Sequence, residues 1–266
     1  MPLGNKTQLF FSASSQPGNF GASVYNYLFK QLDIDAVYLP RKVLDAAKLI
    51  EAIRTLDISG CSISMPLKGQ VIPYLDELEE LSQATQSVNT ITNKDGKLTG
   101  YNTDCYGAFQ VIDNIFKPQS ALVYGSGSVT ASVITALHNF GCTEIFITAR
   151  NQTKTQALAD KYKITALNHN EAKSHKFELL INTTPASKDP SNTDLFELLD
   201  QVESLFDLPV STTDTALIAE ARKLGMKLSP GFEMSKYQLQ KQFSIYTEIW
   251  PDIEKINEAL RLNGFV

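Results

Sequence analysis

Apolar positions along the first hundred residues fall into short continuous runs separated by stretches with a four-residue rhythm. Gln8–Ser12 reads as a buried strand. Val24, Leu28 and Leu32 recur at helical spacing within Phe20–Leu32, and Leu49, Ile53 and Leu56 do so within Leu44–Leu56. Asp35–Leu39 and Ile58–Ser64 read as the second and third strands, Ser87–Thr92 as the fourth, and Leu98–Asn102 as its hairpin partner across the turn Asn93–Lys97. Strands alternating with helices imply a mostly parallel sheet.

The rhythm continues past Asp104. A helix is expected through about Ile115, ended by Lys117-Pro118. The buried strand Ser120–Tyr124 then runs into the turn Gly125-Ser126-Gly127-Ser128-Val129-Thr130. The next helix carries Val133, Ile134 and Leu137 and is closed by Gly141. Further strands are expected at Glu144–Thr148, Glu178–Asn182 and Leu205–Leu208, with helices near Thr153–Tyr162 and Asp214–Leu224. Glu233–Leu262 reads as largely helical, interrupted before Pro251. The class is therefore α/β with two domains: residues 1–103, a Rossmann-like domain over 104–235, and C-terminal helices over 236–266.

Composition narrows the function classes. The 266 residues carry a formal net charge of −5 with no run of Lys or Arg, which disfavours a nucleic-acid groove or an anionic membrane surface. No apolar stretch approaches the roughly 20 residues of a membrane span. The start Met1–Thr7 shows no leader pattern, and the expected address is cytoplasmic. Cys61, Cys105 and Cys142 lack metal-ligand spacing and read as buried thiols; His138, His169 and His175 show no ligand spacing. No metal is expected.

Chemistry concentrates at strand ends. In the Gly125 turn, one glycine permits the tight bend and the second lets the backbone approach a pyrophosphate, with helix amides beyond. Thr130 stands at the third glycine position, and a strand, turn and helix of this kind also serves purely structural ends. The next strand ends Thr148-Ala149-Arg150-Asn151-Gln152-Thr153-Lys154, with no acid to bond a ribose hydroxyl. Arg150 and Lys154 there suit a 2′-phosphate, and so NADP; solvated surface cations are the plain alternative. Lys68, past the turn set by Pro66, and Asp104 each follow a strand end, where a lysine near a carboxylate can exchange a proton with a hydroxyl. Asn89 adds an amide. Spacing alone leaves these as surface residues.

Five ordered motifs carry a resemblance. Ser62-Ile63-Ser64-Met65-Pro66-Leu67-Lys68, Ser87-Val88-Asn89-Thr90-Ile91, Gly100-Tyr101-Asn102-Thr103-Asp104-Cys105-Tyr106-Gly107, Asn182-Thr183-Thr184-Pro185 and Gly231-Phe232-Glu233-Met234 resemble those of the shikimate/quinate dehydrogenase family. The resemblance spans essentially the whole chain. It implies Lys68 as catalytic acid/base with Asp104 as partner. It further implies Asn89, Ser64 and Gln238 on ring hydroxyls, Ser12 and Ser14 on a carboxylate, and Gly231 beside the cofactor with Gly125, Ser126, Gly127, Ser128 and Val129. The partner implied is a small cyclic hydroxy acid, and the protein a monomer or homodimer. The C-terminal helices are expected to return to the first domain.

The sequence departs from the family in places. Asp207-Leu208-Pro209-Val210 stands where the family has Asp-x-x-Tyr, Tyr25-Asn26 replaces His-Asn, Ser62 and Ser64 substitute in the lysine motif, and Ser128 replaces a glycine. These features resemble the shikimate dehydrogenase-like branch. They imply NADP-dependent dehydrogenase chemistry with weak or altered shikimate preference. The alternatives are a quinate or other polyol dehydrogenase, and a non-catalytic NADP-binding ligand sensor.

Overall fold

The computed structural model describes residues 4–265. Met1–Leu3, part of the segment taken to lack a leader, lie outside the described residues. The chain folds as two compact units, one built from the residues up to Thr103 together with those from Lys236 onward, the other from Asp104–Ser235. Each unit is organised on one six-stranded sheet.

The first sheet contains β1 (Gln8–Ser14), β2 (Ala36–Lys42), β3 (Gly60–Ile63), β4 (Glu77–Leu78), β5 (Thr90–Lys94) and β6 (Lys97–Tyr101), in the order β2-β1-β3-β5-β6-β4. β1 runs parallel to β2 and β3, while β5 is antiparallel to both β3 and β6. The sheet is thus more mixed than the strand–helix alternation suggests. Between β3 and β5 lie only short elements, among them a single 3₁₀ turn at Ile72–Tyr74 and a six-residue helix at Glu80–Thr85. No long crossover helix carries the chain back for parallel pairing.

The fourth strand also starts later than its apolar pattern indicates. The Val88 and Asn89 N–H groups donate to the carbonyls of Lys68 and Tyr101, at 2.9 and 3.0 Å, before β5 begins. β5 and β6 are joined by Asp95 and Gly96, both at positive φ (53° and 83°), the two-residue turn whose twist matches a hairpin.

Strand alternation distributes the core of this unit. Ala13 of β1 joins Leu49, Ile50 and Ile53 of the helix Ala46–Thr55, with Cys61, Ile63 and Leu67, in one buried cluster. Phe10, on the other face in the alternation, meets an aromatic layer instead. Its ring lies 5.4 Å from Phe29 and 4.9 Å from Tyr246, and Tyr25 and Tyr38 are 4.5 Å apart. Each such pair adds about 0.5–1.5 kcal/mol beyond area burial. Tyr25 and Phe29 come from the helix Phe20–Gln31, and Phe243 and Tyr246 from the helix Gly231–Thr247. The predicted C-terminal helical stretch breaks after Thr247 and resumes as Ile253–Leu262, capped by the Asp252 side chain on Glu254 N–H at 3.0 Å.

The second sheet contains β7 (Ser120–Tyr124), β8 (Glu144–Thr148), β9 (Thr165–Ala166), β10 (Phe177–Asn182), β11 (Val202–Asp207) and β12 (Lys227–Pro230). All pairings are parallel, in the order β12-β11-β10-β7-β8-β9. The chain steps outward from β7 to β9, then returns to the other side of β7 for β10. This reversal is the topological switch of the Rossmann arrangement, and β7 and β10 flank it. Leu122, Leu180, Leu205, Leu217 and Ile218 form a buried cluster. The helix after Asp104 is Thr103–Val111, continued by a π-turn at Ile112–Phe116 and stopped by Lys117 at φ 54°. All three cysteines are buried and none is in a disulfide.

Candidate active site

In the first unit the ends of β1 and β3 are stitched together. Ser64 N–H donates to Ala13 O at 3.0 Å, and Ser15 N–H to Met65 O at 3.1 Å. Ser14, at the end of β1, therefore lies beside the chain that bears Ser64. The Met65–Pro66 peptide is cis, and Leu67 N–H donates back to Ser64 O at 2.9 Å, closing the turn that delivers Lys68. Lys68 is half-buried, and its carbonyl accepts from Val88 N–H, one residue before Asn89.

Asn89 is the hub. Its side-chain oxygen accepts from Thr90 Oγ1 at 2.8 Å, from Thr103 N–H at 3.0 Å and from Thr103 Oγ1 at 3.1 Å. Thr103 Oγ1 in turn accepts from Gln238 Nε2 at 3.1 Å. Lys68, Asn89 and Gln238, far apart in sequence, are thus joined through backbone and side-chain bonds. Asp104 follows Thr103 directly and is buried in the first turn of its helix, where the macrodipole favours a carboxylate.

Ser12 occupies a different setting from Ser14. It lies inside β1, in register with Ser62, and both serine side chains hydrogen-bond the buried Tyr38 phenol. Burial is the main influence on that phenol and pushes its pKa up, so it stays protonated. Tyr25, at the position of the family's histidine, is likewise buried and donates to Gln242 Oε1 at 2.5 Å.

In the second unit the switch point carries the glycine turn. Gly125 has φ +122°, and a Cβ there would overlap the side chains of Thr183 and Thr184, so only glycine fits. Its N–H donates to Thr148 O at 2.9 Å, holding the turn beside the end of β8. Thr130, at the third position of the glycine pattern, is fully buried, and its hydroxyl bonds Gly125 O at 3.2 Å and the Thr183 hydroxyl at 2.9 Å. It knits the turn to the loop after β10. Gly127 and Ser128 are exposed, Ser126 and Val129 half-buried, and a Cβ on Gly127 would meet nothing within 4 Å. The helix Thr130–Phe140 begins without a side-chain cap; Thr130 N–H donates to Gly127 O at 3.2 Å, and the positive end of the helix dipole favours an anion here.

The end of β8 supplies cations. Arg150 is exposed, and Lys154 is exposed in the first turn of the helix Gln152–Tyr162, which contains no acid in that turn. Asn151 caps the helix through Lys154 N–H at 3.0 Å. These residues fit a phosphorylated dinucleotide: an exposed backbone turn, a helix start with its positive dipole end, and two exposed cations with no acid in the first turn of their helix. Gly231 is required by packing, since a Cβ would overlap the Leu208 carbonyl. Val210 is 46% exposed and offers no donor.

Two features of this unit are not visible in its motifs. Asn182 Nδ2 donates to Asp207 Oδ1 at 2.7 Å, and Thr215 Oγ1 to Asp207 Oδ2 at 2.6 Å. Asn182 Oδ1 accepts from Thr184 N–H and hydroxyl, at 3.0 and 2.8 Å, which shapes the loop against Gly125. Desolvation raises the Asp207 pKa, opposed by the Thr215 and Asn182 bonds. In the first unit the motifs likewise assign no role to Thr103 or Gln242. Gln242 lies four residues after Gln238, on the same helix face, a spacing visible in the sequence. Among the described residues no group of three His, Cys, Asp or Glu is placed to hold a metal ion, and no helix is long and apolar enough to cross a membrane.

Known proteins share both units. Residues 20–91 match the family described as shikimate dehydrogenase substrate binding domain, and residues 108–209 that described as shikimate / quinate 5-dehydrogenase. A shikimate dehydrogenase-like protein of Haemophilus influenzae is 32% identical, covering 97% of each chain. A shikimate dehydrogenase (NADP(+)) of Maridesulfovibrio salexigens is 32% identical over 89% of this chain and 90% of its own. A solved shikimate dehydrogenase in complex with NADP+ superposes with a TM-score of 0.87 at 26% identity, covering 98% of this chain and 97% of that one.

Proposed function

The chain belongs to the shikimate dehydrogenase family, and from that premise we propose that it is an NADP-dependent oxidoreductase interconverting shikimate, or a related hydroxylated cyclic acid, and its 3-dehydro form. The observation that carries the proposal is the bonded set Lys68–Val88, Asn89–Thr103 and Thr103–Gln238, which gathers the residues implied for the ring hydroxyls.

In the proposed reaction Lys68 takes the hydroxyl proton while hydride leaves the same ring carbon, and the process reverses on reduction. NADP supplies the hydride acceptor when bound. Asp104 orients the lysine and shares its proton. Asn89, Gln238 and Ser64 hold ring hydroxyls, and Ser14, with Ser12, serves the carboxylate end. Gly125–Val129 carry the pyrophosphate, Gly231 borders the cofactor, and Arg150 with Lys154 selects the 2′-phosphate. The protein's contribution is orientation and proton handling.

Val210 is the observation that favours altered substrate preference. An apolar, half-exposed side chain replaces a hydrogen-bond donor to the acid, and one charge-assisted bond is worth roughly 1.5–3 kcal/mol, about one to two decades of affinity. Weak shikimate turnover, or preference for quinate or another polyol acid, follows from that loss. A sensor that binds NADP without turnover is the remaining reading, and it leaves the Lys68 and Asp104 pair without a purpose. The proposal places the enzyme in the cytoplasm as a monomer or homodimer.

Steady-state assay of shikimate, quinate and analogues with NADP and NAD separates these readings. The proposal expects cofactor reduction with at least one acid and preference for NADP. Measurable NADP binding with no reduction by any acid would favour the sensor.

A further inference from the structure

We propose that Lys42 is the cation that receives the carboxylate of the ring acid, and that it thereby selects acids over neutral cyclic polyols. The proposal rests on the reading of Ser14 as a residue at the carboxylate end. Of the two serines implied there, only Ser14 has a hydroxyl to offer. Ser12 commits its side chain to the Tyr38 phenol. Ser14 is 9% exposed, and among the described residues its hydroxyl has no hydrogen-bond partner. An unpartnered hydroxyl in such a place calls for a ligand or a water, and this one sits at a strand end of the kind where α/β sheets bind ligands.

Lys42 is the register partner of Ser14 across β1 and β2, and Val43 N–H donates to Ser14 O at 2.9 Å, which holds that register to the end of both strands. Paired strands lie about 4.8 Å apart, and register partners project to the same face. The Lys42 stem therefore leaves the sheet beside the Ser14 hydroxyl, and its four flexible carbons can bring the charge over it. Lys42 is exposed and makes no ion pair among the described residues. The acid three positions on, Asp45, is engaged as the cap of the helix Ala46–Thr55, accepting from Lys48 N–H at 3.1 Å. The neighbouring cation is not equivalent. Arg41 pairs with Ala13, on the opposite face in the alternation. Its guanidinium donates to Pro40 O at 2.8 Å and lies 5.7 Å from the centroid of the Phe11 ring. Of two adjacent cations, only Lys42 adjoins the open hydroxyl. A carboxylate can accept from Ser14 with one oxygen and from Lys42 with the other, the second contact being charge-assisted. A neutral polyol gains only the first.

Lys42→Met keeps an apolar stem and removes the charge, and Arg41→Met removes the neighbouring charge as a control. With the acid that the parent protein oxidises best, Lys42→Met should raise KM about 10-fold, the lower end for a hydrogen bond to a charged group. Its kcat and its KM for NADP should stay at the parent values. KM for the methyl ester of the same acid should not change, and Arg41→Met should leave the acid KM in place. An unchanged acid KM in Lys42→Met, equal rises for acid and ester, or the same rise in Arg41→Met would overturn the proposal and leave the dehydrogenase reading intact. If the parent protein turns over no acid, that reading falls, and calorimetric titration with shikimate, quinate and benzoate decides for Lys42. Binding weakened about 10-fold in Lys42→Met upholds the proposal. Equal binding by parent and variant, or no binding of any of the three, overturns it.

Discussion

Thr103 donates twice to the side-chain oxygen of Asn89, through its backbone N–H at 3.0 Å and its hydroxyl at 3.1 Å. The same hydroxyl accepts from Gln238. One threonine thus couples two residues implied for substrate hydroxyls, directly before Asp104 in the chain. It works by orienting them, since both of its donors are used within the protein.

Replacing Thr103 by Val keeps the shape and the backbone donor but removes the hydroxyl. Gln238 loses its acceptor and Asn89 one of its donors. A net hydrogen bond contributes about 0.5–1.5 kcal/mol, so KM for the acid should rise about 2- to 10-fold. Titration of the acid under saturating NADP checks this, and an unchanged KM would show that Thr103 does not orient the site.

Cofactor choice should follow Arg150. Arg150→Ala should raise KM for NADP by about one to two decades, the value of one charge-assisted bond, while leaving NAD kinetics nearly unchanged. Equal effects on both cofactors would show that Arg150 does not contact the 2′-phosphate.

Val210→Tyr restores a donor where the family carries one. Affinity for shikimate should increase by about one decade or more if the missing hydroxyl is what weakens binding. Kinetics with a panel of acids would detect it; no gain with any acid would remove Val210 from the account of preference.

Asp207 makes a pH-dependent prediction about stability. Its folded pKa is raised by burial above the unfolded value. The native state therefore holds this proton more tightly than the unfolded chain does. The resulting stability is fully present below the unfolded pKa and is lost as pH rises through the raised folded pKa. Asp207→Asn should lack that component, so the stability difference between parent and variant should change across that window. At neutral pH the variant should still be less stable by about 1–3 kcal/mol, because one buried partner, Asn182 or Thr215, loses its acceptor. Urea unfolding of both proteins across the acid-to-neutral range measures it, and parallel pH profiles would refute the shift.

Much of the fold is legible in the sequence because its signals are local. The strand Ser120–Tyr124, the glycine pair and the helix after them follow one another without a break, and the Asp95-Gly96 turn needs only two residues. What the sequence hides depends on distance or brevity. The antiparallel entry of β5 is set by pairing with β3, not by anything in Thr90–Lys94 itself. The helices Glu80–Thr85, His169–Lys173 and Thr193–Phe196 are too short to show a period. Ser12 and Ser14 look equivalent as Ser-x-Ser, yet one lies beside Tyr38 inside the strand and the other at its end. Gln242 sits on the same face as Gln238, but its bonds to Asn89 and Thr90 span 153 and 152 positions. No local pattern contains them.

The central claim is proton transfer by Lys68 in a hydride-transfer reaction, and Lys68→Ala tests it most directly. With the acid that the parent protein oxidises best, kcat should fall by at least about 100-fold, the usual span of a lost general acid/base, while NADP affinity by fluorescence titration stays at the parent value. Turnover at the parent rate in that variant would contradict the account.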